Sequence, residues 1–442
     1  MQTKYNYIGA YLLPMIVIGG LLLFLSGCDL DLSNPNAPSD EQVLTTPEGI
    51  VNLATGLIRE YSTTTLEAYI VFMGTTAHEV SIITTLANLI ELEEGGPELP
   101  PSLSNVLAVW TRSYRVIEMS NQLIENVEGI TMAEGTRSGI LAMANLYKAK
   151  ALGILAQAFE QAPLDIDPTQ RAEFHPRSDV LAEAIRLLEN ARQILNETPP
   201  SAEFQNRIVG AGYDIENTIN AHLARFNLYA GNHSTAITEA NNVNLQATSV
   251  YAYDDEHRNP VYNQVYALNY FRPRAELGTP LTEDNDARLD FYLGPEKEEP
   301  STLGNTVHEL EGFFSSPSSA LPAYLPGEMV LIKAEAHARM NQLGDAIGYI
   351  NDIRTKTAAE DPFGVGAALP EYDGPETQDA VLEEIYRQRT AELFLTGLRW
   401  EDSRRFNRPG PLDDNPERNR NFYPYPDRER DNNPNTPPNP DV

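Results

Sequence analysis

The segment His308-Glu309-Leu310-Glu311-Gly312 opens like a zinc-protease helix, in which two histidines four residues apart share the metal and the glutamate activates a water. Gly312 stands where the second histidine is needed, so the metal site is incomplete. The seven histidines are otherwise scattered, and neither a Gly-x-Ser-x-Gly nucleophile elbow nor a phosphate-cradling glycine loop occurs. Carboxylate pairs such as Glu283-Asp284 have the chemistry of glycosidase acids. In a chain with 63 acidic residues such pairs arise by chance, and only their separation in a fold would be diagnostic. The sequence therefore nominates no catalytic residue, no metal ligand and no cofactor, and a non-enzyme is expected.

A second kind of chemistry needs only a surface on which rings lie flat against an apolar face, bordered by amide, carboxylate and guanidinium groups. Tyrosine suits it, because it combines a rigid apolar body with a polar tip and loses little entropy on binding. Asn269-Tyr270-Phe271-Arg272 is the densest cluster of this type and Asp290-Phe291-Tyr292 the next. Tyr253, Tyr270, Phe271, Arg272 and Tyr292 are accordingly the candidate ligand-binding residues. Each ring has an ordinary alternative, packing beneath a loop as core.

The single cysteine has another use. Lys4 is followed by an apolar run from Ile8 to Leu25 and then by Leu25-Ser26-Gly27-Cys28, the order of a signal peptide. Cys28 at the cleavage point resembles a bacterial lipobox, whose thiol takes a diacylglycerol, so that acyl chains such as palmitate anchor the protein to a membrane. The expected organisation is a signal peptide over 1–27, a lipidated proline-punctuated tether over 28–47 and one body over 48–442. With Cys28 consumed, no disulfide framework remains. The net charge of −31 excludes nucleic acid and a bare anionic bilayer as direct partners. Only 6 of the 32 basic residues are lysines, a balance that suits concentrated salt as well as an ordinary soluble acidic face.

The elements that must position any site are helical. Val106, Val109, Trp110, Tyr114, Ile117, Leu123 and Ile124 recur at helical spacing, as do Val180, Leu181, Ala184, Ile185, Leu188, Ala191, Ile194 and Leu195. For the second face, Ser178 is the expected N-cap and Pro199-Pro200 the stop. Two segments read as copies of one hairpin at an offset of 110 residues: Ala224 to Ile237 around Gly231-Asn232-His233, and Ala334 to Ile347 around Asn341 to Gly344. Such hairpins resemble tetratricopeptide units, which bury their faces by stacking on neighbours; an ordinary helical bundle is the alternative. A third hairpin is expected from Ile140–Glu160 and Val180–Asn196. Between about 245 and 325 the helical period gives way to a loop-rich insert crowded with Tyr and Phe, which holds all five candidate residues.

Several stretches in this order resemble the SusD/RagB family of nutrient-binding outer-membrane lipoproteins. The most specific is Glu384 to Phe394, with Arg389 and Glu392-Leu393, followed by Thr396-Gly397-Leu398-Arg399-Trp400-Glu401-Asp402. Met329 to Arg339, Ile350 to Arg354, Tyr423-Pro424-Tyr425-Pro426, Trp110 to Asn121 and Asn285 to Leu289 also fit. The chain departs from the pattern at Thr396, where glutamate is usual, and at Ala287, where proline is common. The resemblance implies a mainly α, tetratricopeptide-based scaffold with a ligand surface on irregular insertions. It also implies an outer-membrane lipoprotein of a Gram-negative cell, facing the exterior, that binds an oligosaccharide or peptide and covers a TonB-dependent transporter barrel. A scaffold that binds only protein and a surface glycan hydrolase are the rival readings.

Overall fold

The apolar stripes form helices close to where their periodicity places them. The computed structural model describes residues 44–442, and Cys28, the signal peptide and most of the tether lie outside them. Thr46 caps the first helix, α1 (Pro47–Arg59), by accepting from the Gly49 amide, with Pro47 supplying a preset first turn. There follow α2 (Ala87–Glu94), α3 (Ser104–Asn126), α4 (Glu134–Ala158), α5 (Arg177–Glu197), α6 (Ile215–Tyr229), α7 (His233–Asn241), α8 (Pro326–Arg339), α9 (Leu343–Thr355), α10 (Gln378–Glu392), α11 (Arg399–Arg405) and α12 (Asp427–Asn432). The protein is mainly α.

Successive helices pack on one another from α3 through α10, and the expected pairs α4/α5, α6/α7 and α8/α9 are all hairpins. The tight turns between α6 and α7 and between α8 and α9 each use a residue in the left-handed region, Gly231 and Asn341. α4 is apolar and long enough to cross a membrane, but it is buried inside the body as its central rod. Its glycines let neighbours approach: a Cβ at Gly153 would lie 2.2 Å from the Phe226 ring of α6. One correction concerns α5, which starts at Arg177 with Pro176 at the cap position; the Ser178 hydroxyl turns instead to Asp179.

The insert is tied down by short antiparallel ladders. β1 (Val80–Ile82) pairs with β5 (Phe271–Pro273), β4 (Val250–Tyr251) with β8 (Leu321–Pro322), and β6 (Leu293–Glu296) with β7 (His308–Leu310), while β2 (Gln161–Ala162) pairs with β3 (His175–Pro176) outside it. The C-terminal motif is architecture. Arg389 on α10 makes a two-pronged pair with Asp402 on α11, at 2.8 and 3.0 Å, and Glu392 receives both Arg288 and Lys356 in the interior. Buried charges of this kind hold only because each finds a partner. Trp400 is core and donates to the Arg420 carbonyl at 2.6 Å. Gly397 has φ +83°, and a Cβ there would lie 2.6 Å from the Tyr69 ring.

Candidate functional site

The five nominated residues do not form one surface. Phe271 is fully buried in β5, where its backbone pairs with Ile82. Tyr292 is also fully buried, edge-on to Phe291 at 4.8 Å and to Phe394 at 5.4 Å, with its hydroxyl on the Glu392 carbonyl. Tyr253 is buried and donates to the Ser62 carbonyl at 2.9 Å. Arg272 is spent on its own turn, donating to the Phe271 carbonyl and the Asn269 side chain and facing Glu309. These four are corrected from ligand contacts to core. The physical reason is that the insert has no long helices, and its rings, the largest apolar groups it carries, are what pack it onto the core of the helical body. Tyr270 alone stays half-buried at the surface, its carbonyl taking the Ile83 amide. Tyr262 and Tyr266 lie near it as a tilted pair 5.3 Å apart.

A groove with an aromatic lining lies elsewhere. Leu107, Trp110, Thr111 and Tyr114 occupy one face of α3 and form the floor of a groove of about 380 Å³. One wall is the β2–β3 connection, with Pro163, Asp165, Ile166, Asp167 and Gln170. The other is α12, with Arg428, Glu429, Asn432 and Asn433. Trp110 and Tyr114 meet at 4.9 Å, and Trp110 rests on Phe159, Phe174 and Tyr425, so the floor is backed by a continuous aromatic cluster. The rings are oriented by their polar tips. The Trp110 indole donates to Glu429 at 3.3 Å, and the Tyr114 hydroxyl donates to the Pro163 carbonyl at 2.9 Å. Asn433 donates to both the Ala172 carbonyl and Glu429, which pins α12 across the opening.

The rim is acidic. Asp165 receives Lys148 and Asn121, each at 2.6 Å, yet half of its side chain remains exposed. Burial pushes this carboxyl up, but the hydrogen bonds from Lys148, Asn121 and the Ile166 amide outweigh it and hold Asp165 below the usual range. Hydrogen bonds from the Thr169 hydroxyl and amide do the same for Asp167. Burial, and then the Glu429 and Asp165 charges, push the Tyr114 phenol well above its ordinary value. At neutral pH the groove thus combines fixed acceptors, a neutral phenol and, on its β2–β3 wall, the exposed Ile166. An aromatic face beside fixed acceptors is the chemistry that a neutral, polyhydroxylated ring can use. Among the described residues no three His, Asp or Glu side chains converge as a metal would require.

Residues 318–441 match the model of the SusD family. This C-terminal part of the chain is therefore similar to the SusD family. No curated protein matches its sequence. A SusD superfamily protein from Bacteroides thetaiotaomicron shares 17% identity over 90% of this chain and 100% of its own, with a TM-score of 0.68. A SusD-like carbohydrate binding protein from Bacteroides vulgatus shares 17% over 82% and 84%, with a TM-score of 0.62. Another SusD-like carbohydrate binding protein, from Bacteroides fragilis, shares 15% over 89% and 99%, with a TM-score of 0.65. At these identities the likeness is one of fold. The SusD/RagB residues quoted from the C-terminal part are the buried framework, and α12 of the groove lies within the matched segment.

Proposed function

We propose that this protein captures a neutral saccharide in the Trp110–Tyr114 groove and catalyses nothing on it. The observation that carries the reading is the half-buried Tyr114 ring on α3, backed by the buried Trp110 and facing fixed acidic and amide groups across a groove large enough for a small ligand. The carbohydrate-binding descriptions of two proteins of the same fold support it. The leader and Cys28 support export and lipid anchoring to the outer surface of an outer membrane, with palmitate or a similar chain on Cys28. The family resemblance supports delivery to a TonB-dependent transporter barrel as partner, and we read the α6/α7 and α8/α9 hairpins as tetratricopeptide-like units of the scaffold.

Calorimetric titration with neutral oligosaccharides, with chromatography of every mixture, tests the reading. Binding without product, lost on Tyr114→Ala, is the expected result. Product release would make the protein a hydrolase, and the absence of binding to any neutral or charged glycan would favour a scaffold that recognises only protein.

A further inference from the structure

Lys150 sits on α4 in the interior, 3% exposed, with no carboxylate within ion-pair distance among the described residues. Its ammonium nitrogen lies 4.4 Å from the ring centre of Tyr61, 4.9 Å from that of Tyr251 and 5.2 Å from that of Tyr147, and it contacts the Tyr251 hydroxyl. Beside it is a cavity of about 50 Å³, lined also by His222, Arg225, Tyr324 and Glu328. The one carboxylate in that wall is already taken, since Glu328 receives Arg225 through two bonds of 2.6 Å. His222 is held neutral, its Nδ1 on the Thr218 carbonyl and its Nε2 facing the Arg225 guanidinium at 3.3 Å. The Arg225–Glu328 pair cancels, which leaves Lys150 as the net charge of the site. The Tyr324 hydroxyl, also buried at the cavity wall, has no hydrogen-bond partner.

Buried cations persist when they are paired, because an isolated ammonium in a low-dielectric interior costs far more than ring faces return. We propose that the cavity beside Lys150 is a binding site for a small monovalent anion of chloride size, held by the Lys150 ammonium and the Tyr324 hydroxyl. The volume admits a halide. Burial and the Arg225 charge both push Lys150 well below the ordinary lysine range, so without a counter-ion the amine would shed its proton. The anion would lock α4 to α6 and to the start of α8, the elements that surround it, and so stiffen the scaffold beneath both the insert and the groove.

Thermal unfolding of the full-length protein in detergent tests this at constant ionic strength, with chloride replacing gluconate so that screening is unchanged. The melting temperature should rise by about 1–2 °C for each tenfold increase in chloride above its dissociation constant. Lys150→Met should abolish that dependence. If Lys150→Met does not fold, anomalous diffraction from bromide-grown crystals of the unaltered protein replaces it, with a peak expected beside Lys150. Equal melting temperatures in chloride and gluconate, a chloride effect that survives Lys150→Met, or a cavity without bromide would each overturn the proposal. It does not depend on what the Trp110–Tyr114 groove binds.

Discussion

The insert and the α3 groove use aromatic residues in opposite ways. In the insert, Phe271, Tyr292 and Phe314 point inward from short ladders and loops and join the core of the helical body. On α3 the helix core is already supplied by Val106, Val109, Val116 and Ile117, so the stripe at Leu107, Thr111 and Tyr114 is left to line a groove. The high density of rings in the insert therefore marks where a segment without long helices packs onto the core.

Alanine substitutions should separate the two regions most sharply through stability. Phe271→Ala and Tyr292→Ala should each cost about 3–5 kcal/mol in urea unfolding, while the folded fraction keeps its saccharide affinity. A loss of affinity at full stability would return those rings to the ligand. Next in size, Tyr114→Ala should weaken saccharide binding about 10- to 100-fold, as expected for a central aromatic anchor, while Tyr114→Phe stays within a few-fold of the parent. Tyr270→Ala should change affinity less than about twofold; the reverse order of effects would move the binding face to the insert.

A smaller effect follows from charge. An oligosaccharide bearing uronate groups should bind more weakly than its neutral counterpart, with the difference narrowing in salt and in an Asp165→Asn variant. If charge on the ligand makes no difference, the acidic rim does not face it.

A further effect is on pH, and it belongs to the scaffold beneath both regions. Burial lifts Glu79 from 4.5 to about 7, against the pull of Arg399 and of the Leu395 amide. The folded protein thus keeps a proton that the unfolded chain releases, and stability should fall as pH rises from about 4.5 through 7. For Glu335 burial is outweighed by Arg405, Arg389 and Arg339, which hold it at about 2. Its contribution is present above 4.5 and lost as pH falls through the window down to 2. Urea midpoints across pH should show both limbs, and Glu79→Gln should flatten only the upper one.

Much of the scaffold was legible in the chain. The 110-residue offset between the Gly231 and Asn341 turns fell on two real hairpins, and the paired residues of the C-terminal motif proved to be buried structure. The site was harder to read. Trp110 and Tyr114 were visible as a helical stripe, but periodicity cannot say whether a stripe meets core or a cleft. The groove's other walls come from residues about 50 and more than 300 positions away. The tail after Arg408 is rich in Pro, Asn, Asp and Arg, and it contains α12, which Asn433 ties to the Ala172 carbonyl.

Helix positions, the hairpin repeat, the acidic balance and the order of the family motifs were determined by the sequence alone, because they rest on spacing and composition, which are local. Which rings became core and which lined a groove was decided only by the tertiary structure. The fate of a ring depends on what packs above it, and above Tyr292 lie Phe313 and Phe394, whereas above Tyr114 the β2–β3 connection and α12 stand apart.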